Sequence, residues 1–512
     1  MGDCQTDPLR PQFDRRLRLE FHGVNVTSDA GLLAYRELDH ALQFTDTASD
    51  VLHDTRTGRN TRHSLAALLR QSLFSRPAGY EDLNDAERLR VDPPLRIVVG
   101  GRARHHAAAS TSEIGRFETE TLTTREDLNR LMDLSSQWID RAHRRRKLTM
   151  IVLDMDSSVS ETYGPQQGAA YNGHFGCTCY HPLFVFNQFG DLERVVLRRG
   201  DHHSAKFWRR VLIPVIARYR DLKIPKFFRG DAAFASPKLF RLLEEESYWY
   251  AIRLKANTVP ERNIAHLLKR PVGRPSKKPK VFCHSFRYRA KSWDRARRVV
   301  AKVERHAGEL FPRVGFVVTN LRRSPKRVIR FYNGRGTAEQ WIKERKQALN
   351  WTRLSCRRFG DNQVRLQLFA LEYNLGNFLR QLALPRPVWT WSLTTLREKL
   401  IKIGAKVVRH AKTVTFQLTE VAAPRALFAV RGDSGPDRSA ASGAEPGMSV
   451  RDGRVGVTWS RGGRGWCAVR CGEKSRIGAC GVHRGVRSDI GPAGRPDLSD
   501  LSPGHGHSAR VQ

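Results

Sequence analysis

The chain has 512 residues, enough for about two to four domains and a sizeable buried core. Lys and Arg number 89 against 51 Asp and Glu, a formal charge of +38, and a body so charged repels itself unless a polyanion such as nucleic acid absorbs the excess. No apolar run approaches the roughly 20 residues a spanning helix needs, so a membrane partner is not expected.

Residues 1–146 read as a mainly helical N-terminal region. Ser28-Asp29 are placed to cap a helix carrying Leu32, Leu33, Tyr35 and Leu38. Another begins near Ser64, with Leu65, Leu68, Leu69 and Leu73 at helical spacing, and stops at the Pro77–Gly79 turn. Thr111–Leu131 again alternates charged and apolar residues as a helix does. Short helices joined by turns suit a DNA-binding module, and suit any small helical domain nearly as well.

The pattern changes at Lys147. Thr149–Leu153 is a β-rich apolar run, as expected of a strand buried on both faces. Further strands are predicted at Pro182–Phe189, Leu192–Arg199, Phe227–Gly230 and Tyr248–Leu254. A helical stripe from Phe207 to Tyr219 lies between them, and Ser236-Pro237 supplies a cap and a first-turn proline for a second helix. Residues 147–256 are therefore an α/β sheet region. Residues 257–330 interrupt it as a basic β-rich insertion, with a loop Arg270-Pro271-Val272-Gly273-Arg274-Pro275 and short β-like runs near Val281–Tyr288, Arg298–Val303 and Val314–Thr319. Helical pattern resumes over Asn333–Asn350 and Asn362–Leu382, within a segment 331–430.

Residues 431–512 are different material. They hold 17 of the chain's 40 glycines and carry only +5 of the charge, so the remainder carries +33. Composition reads this as a disordered C-terminal tail. Eight scattered cysteines suit a reducing compartment. Cys177, Cys179 and His181, and the tail group Cys467, Cys471, Cys480 and His483, lack zinc-ligand spacing and read as free thiols. With no apolar signal core in the opening residues, the expected location is cytoplasmic and nucleoid-associated.

Three acidic positions stand out. Asp154 and Asp156 end the first apolar strand, and Asp231 follows a later one, where α/β enzymes commonly place ligands. Taken singly, each is an ordinary turn or cap residue. Tyr332, Arg335, Glu339 and Lys346 follow at spacings that share one helical face, although Thr337–Gln340 also fits a capping box that would start the helix late. Carboxylates gathered from separate elements are what metal-assisted phosphodiester chemistry requires. Two divalent ions about 4 Å apart clamp the attacking and leaving oxygens, and Mg²⁺ prefers such oxygen donors.

The spacing Tyr-x2-Arg-x3-Glu-x6-Lys resembles the YREK signature of cut-and-paste insertion-sequence transposases of the DDE class. The wording of Gly79–Asp85, Tyr332–Gly336, Leu349–Cys356 and Leu371–Leu379 is similar to the insertion-sequence family numbered thirteen-eighty. The likeness runs from about Phe13 to Val430, fading near Phe428, where a closing helix is expected and Gly- and Arg-rich sequence begins instead.

The resemblance implies a ribonuclease-H-like catalytic core with the β-rich insertion, served by the helical region 1–146 as a DNA-binding module. It implies Asp156, Asp231 and Glu339 as catalytic metal ligands for Mg²⁺ or Mn²⁺. Asp156 is preferred to Asp154 because Asp156-Ser157-Ser158 fits the family's Asp-x-Thr/Ser pattern. Glu339 is preferred to Glu344 because it keeps the signature's register. Tyr332, Arg335 and Lys346 would position phosphates or a hairpinned DNA end. Arg274 lies in a Gly-Arg-Pro context that resembles minor-groove hooks, though an exposed basic loop reads the same way. The implied activity is cut-and-paste DNA transposition: strand cleavage and strand transfer at element ends. The implied partners are terminal inverted repeats and target DNA, bound by a homodimer. A related nuclease and a catalytically inactive DNA-binding remnant are the alternatives.

Overall fold

The computed structural model describes residues 25–57, 61–256, 258–269, 278–348, 350–410 and 413–418, without the side chains of 345–347. Arg274 and the tail 431–512 lie outside the described residues, as does the Lys346 side chain.

The described chain opens with β1 (Val26–Thr27) and seven helices: α1 (Leu32–Leu42), α2 (Phe44–Val51), α3 (Leu65–Ser75), α4 (Ala86–Leu89), α5 (Pro93–Val99), α6 (Thr111–Arg116) and α7 (Arg125–His143). Their starts follow local chemistry. Ser64 caps α3 by accepting the Ala67 amide at 3.3 Å, and Ser110 with Glu113 forms a reciprocal capping box on α6. The expected cap on α1 does not form. Gly31 precedes that helix, because the Asp29 carboxylate is held by Lys402 at 2.8 Å and by the Tyr80 hydroxyl at 2.8 Å.

Six strands and a helix follow: β2 (Ile151–Ser157), β3 (Ser160–Glu161), β4 (Ala170–Asn172), β5 (Cys177–Tyr180), β6 (Leu183–Phe186), β7 (Leu192–Val196) and α8 (Trp208–Tyr219). Next come β8 (Lys226–Gly230), α9 (Pro237–Glu245), β9 (Tyr248–Leu254), α10 (Thr258–Arg262) and α11 (Ala265–Leu268). The chain continues through β10 (Lys280–Tyr288), β11 (Arg297–Arg305), β12 (Arg313–Thr319), α12 (Pro325–Asn333) and α13 (Gly336–Ala348). It closes with α14 (Phe359–Phe378), α15 (Leu393–Leu396), β13 (Ala405–His410) and β14 (Thr413–Leu418).

One eight-stranded mixed sheet dominates, in the order β10-β11-β12-β9-β8-β2-β6-β7. The β2–β8 and β8–β9 pairs are parallel, and the other five pairs are antiparallel. The insertion strands β10–β12 thus extend the main sheet through the β12–β9 pairing. Two small sheets, β3-β5-β4 and β1-β13-β14, complete the strands.

Strand alternation sends β2 side chains to two faces. Ile151, Leu153 and Met155 join a core with Val211, Leu212 and Val215 of α8 and Phe240 and Leu243 of α9. On the other face, Val152 and Phe227 pack under Val328 and Ile329 of α12. Farther along that face, Phe184, Phe186 and Leu192 pack with α14 and the N-terminal helices. The Phe44 ring lies 4.8 Å from Trp138 and 5.4 Å from Phe378, so residues of the N-terminal helices and α14 share one core.

Candidate active site

Asp156 is the penultimate residue of β2 and is buried; Asp231 directly follows β8 and is half-buried. Met155 stands opposite Gly230 in the parallel β2–β8 ladder, so the two aspartates leave neighbouring strands at the same level. Strands that pair are about 4.8 Å apart. Asp231 is fixed by its own turn, its carboxylate accepting the Ala233 amide at 2.9 Å. Asp156 is fixed similarly by the Ser157 amide, also at 2.9 Å.

The signature segment forms two helices. Tyr332 is the penultimate residue of α12, Arg335 lies in the turn after it, and Glu339 is in the first turn of α13. Thr337 is inside α13, so the capping-box register does not set its start. Lys346 is farther along the same helix. The turn aims the Arg335 guanidinium at the strand ends: Nη1 donates to Asp156 Oδ2 at 3.1 Å and Nη2 to Glu339 Oε1 at 2.5 Å. Arg335 therefore bridges two of the three acids.

Burial pushes the Asp156 carboxyl up to about 6; Arg335 opposes this, while Asp231 and Glu339 add to it. Burial works against the Arg335 charge, but Asp156, Tyr332, Glu339 and Asp231 more than offset it and raise its pKa. Burial also raises the Tyr332 phenol, against the pull of Arg335.

Asp154 and Glu344 have other commitments. Asp154 is fully buried in a two-point pair with Arg229, Nε to Oδ1 at 2.6 Å and Nη2 to Oδ2 at 2.5 Å. Arg229 also donates to the Phe331 carbonyl at 3.0 Å, tying β8 to α12. Glu344 accepts Arg380 at 3.2 Å and the Leu393 amide at 2.6 Å. Sequence reasoning missed Arg229, whose only signal was a cation within an apolar strand two residues before Asp231. It also missed Glu81, which accepts from Asn350 and Arg353, both at 2.8 Å, and so joins two segments noted above for their wording.

Among the described residues, no three His, Cys, Asp or Glu side chains converge closely enough to hold a metal ion. The donor chemistry nevertheless fits a hard divalent cation. Asp156 and Asp231 are neighbouring carboxylates at strand ends, with Arg335 as the cation between Asp156 and Glu339. Burial is the main cause of the raised Asp156 carboxyl, and the neighbouring Asp231 and Glu339 charges add to it.

Residues 9–431 match the family described as transposase DDE domain, group 1. The chain belongs to this family of transposases. Curated proteins include no match to it. Among solved structures, the piggyBac transposase in a synaptic complex with hairpin DNA is 11% identical to this transposase. That likeness covers 69% of this chain and 76% of the other, at a TM-score of 0.36. No helix among the described residues of the transposase is long and apolar enough to cross a membrane.

Proposed function

We propose that this transposase works by cut-and-paste: strand cleavage at the element's terminal inverted repeats, then attack of the freed 3′-hydroxyl on target DNA. The observation that carries this reading is the acidic edge, where Asp156 and Asp231 leave adjacent parallel strands and Arg335 links Asp156 to Glu339. The five strands β7-β6-β2-β8-β9, an antiparallel meander joined to a parallel pair with helices on both faces, are proposed as a ribonuclease-H-like core. The connected α12–turn–α13 unit supports the YREK reading and the likeness to the insertion-sequence family numbered thirteen-eighty. The +33 outside the tail supports an extended DNA interface, which we assign to a homodimer at the nucleoid.

In this mechanism Asp156, Asp231 and Glu339 would hold Mg²⁺ or Mn²⁺. When bound, the metal supplies Lewis acidity and lowers the pKa of a coordinated water. Asp156 must give up its proton to serve as a ligand. The Arg335 fork, which steadies Asp156 and Glu339 without DNA, suits a phosphate equally well once DNA arrives. Tyr332 stays a neutral phenol, its ionisation disfavoured mainly by burial.

The test is to incubate the full chain with DNA carrying its own element ends and either metal, then map the cut strands. Asp156→Asn, Asp231→Asn and Glu339→Gln are each expected to reduce cleavage at least about 100-fold while sparing DNA binding. Near wild-type cleavage in any variant overturns that residue's role. Cleavage without strand transfer by the wild type indicates a nuclease, and binding without cleavage an inactive remnant.

A further inference from the structure

Because β7 is antiparallel to β6 and β6 to β2, β7 runs in the same direction as β2. The loop after β7 therefore leaves the sheet edge that carries Asp156, two strand positions away, roughly 10 Å. That loop and the small sheet β3-β5-β4 form one continuous unit. Tyr180 bridges Arg199, and the Asn172 side chain donates to the Gly200 carbonyl at 2.6 Å. Gly200 approaches so closely that a Cβ there would lie 2.1 Å from the Cys179 carbonyl oxygen.

A strip of rings runs across this unit. The His174 and Phe175 ring centroids are 5.0 Å apart, and those of Phe175 and His181 are 5.2 Å apart. His181 Nδ1 lies 2.8 Å from the His202 carbonyl oxygen, and the His202 ring lies 5.2 Å from Phe207. Phe175 and Phe207 are 37% and 50% exposed, so neither ring is spent on the core. Phe207 is also held at φ +63°, a left-handed conformation that costs a non-glycine residue energy. The loop is pinned from below by the buried Arg198, which donates to the carbonyls of His181, His203, Ser204 and Lys206. Lys206 Nζ lies 5.4 Å from the Phe207 ring centre, and Arg209 and Arg210 follow at the start of α8. Besides the buried Arg198, this stretch up to Arg210 carries four exposed cationic side chains, Arg199, Lys206, Arg209 and Arg210, and one carboxylate, Asp201.

The structure assigns this strip as a stacking surface for an unpaired DNA strand, an inference that rests on the proposed role of the Asp156 edge in strand cleavage. Exposed rings stack only on exposed base faces, which a duplex hides and an unpaired strand offers, and the surrounding cations match its phosphates. An unpaired strand at an opened element end lies beside this edge, and the loop pinned by Arg198 leaves half of Phe207 exposed to it.

The test uses the full chain in EDTA, with a mixed-sequence duplex bearing a single-stranded extension that contains 2-aminopurine. Wild-type protein is expected to quench the probe. Phe175→Ala with Phe207→Ala is expected to remove the quench and weaken binding of the extension by about 10-fold or more, while leaving blunt-duplex affinity unchanged. Phe311→Ala, at an exposed ring in the β11–β12 turn, is the matched control. Phe207→Leu keeps apolar bulk without a stacking face and is expected to lose quench; Phe207→Trp is expected to keep it. Undiminished quench in the double variant overturns the assignment, as does equal weakening on the blunt duplex. The quench is read without metal and so does not depend on cleavage; failure of the wild type to cleave in the separate metal-supplemented assay on its own element ends overturns the transposition reading and leaves the stacking result intact.

Discussion

Asp154 and Asp156 sit two residues apart on one face of β2, and their surroundings give them opposite consequences on substitution. Asp154→Asn breaks a fully buried ion pair and strands the Arg229 charge, an expected loss of about 3–5 kcal/mol. Asp156 has its pKa raised from 3.8 to about 6, so protonation favours the folded state. Its contribution to stability is full below pH 3.8 and is lost as pH rises through 6. Without metal at pH 7.5, Asp156→Asn is therefore expected to stabilise the fold, by up to about 3 kcal/mol, and to flatten this part of the pH–stability curve. Melting curves in EDTA from pH 4 to 8 check both variants. A lower melting temperature for Asp156→Asn at pH 7.5, or an unchanged one for Asp154→Asn, would contradict these assignments. The sequence preference for Asp156 came from Ser157-Ser158. The partner of Asp154 was not legible, because Arg229 is 75 residues away and only the β2–β8 register brings them together.

At the scale of elements, apolar runs were enough to locate β2, β6 to β9 and β10 to β12; the central strands among them bury both faces, while β10, at the sheet edge, is half-buried to exposed along its length. In the small sheet β3-β5-β4, the alternation of Cys177, Cys179 and His181 reads as a strand at β5, but β3 and β4 escaped notice. Its strands are short and partly exposed, with tight turns at Gly168 and Gly176, and so lack a hydrophobic period. The break between α12 and α13 was left open by two competing patterns, and tertiary contact decides it. A Cβ on Gly334 would fall 2.1 Å from Arg229 Nη1, and Arg229 cannot yield freely while Asp154 holds it. Gly336, two residues on, has nothing within 4 Å of the same position. Gly334→Ala is expected to cost about 1–3 kcal/mol and to reduce cleavage by displacing the turn that aims Arg335. Gly336→Ala, at the start of α13, is expected to be neutral or stabilising by up to about 1 kcal/mol. Equal melting temperatures for the two variants would show that the Gly334 approach does not constrain the turn.

Across the whole molecule, the described chain is closed by joining its two sequence ends. Thr27 of β1 pairs with Ala405 of β13, and the Gly31 amide donates to the Ile401 carbonyl at 3.2 Å. A Cβ on Gly31 would sit 1.6 Å from the Leu400 carbonyl oxygen, so this is backbone lying directly on backbone. Such closure was invisible in sequence, since no local pattern relates positions nearly four hundred residues apart. It sets where the chain can be shortened. The family match ends at residue 431, and the residues beyond lack the apolar period that packing requires. A chain ending at Val430 keeps β13 and β14 and is expected to melt and cleave as the full chain does. A chain ending at Gly404 loses the partner of β1 and removes Val407 and Phe416, which are buried with Ala30. Each buried Val or Phe side chain contributes about 1.5–3 kcal/mol, so this shorter chain should melt at least about 5 °C lower. The comparison needs three melting curves and one cleavage assay. A large fall already at Val430 would mean that residues 431–512 complete the fold, while unchanged melting with lost cleavage would place a DNA contact among their arginines.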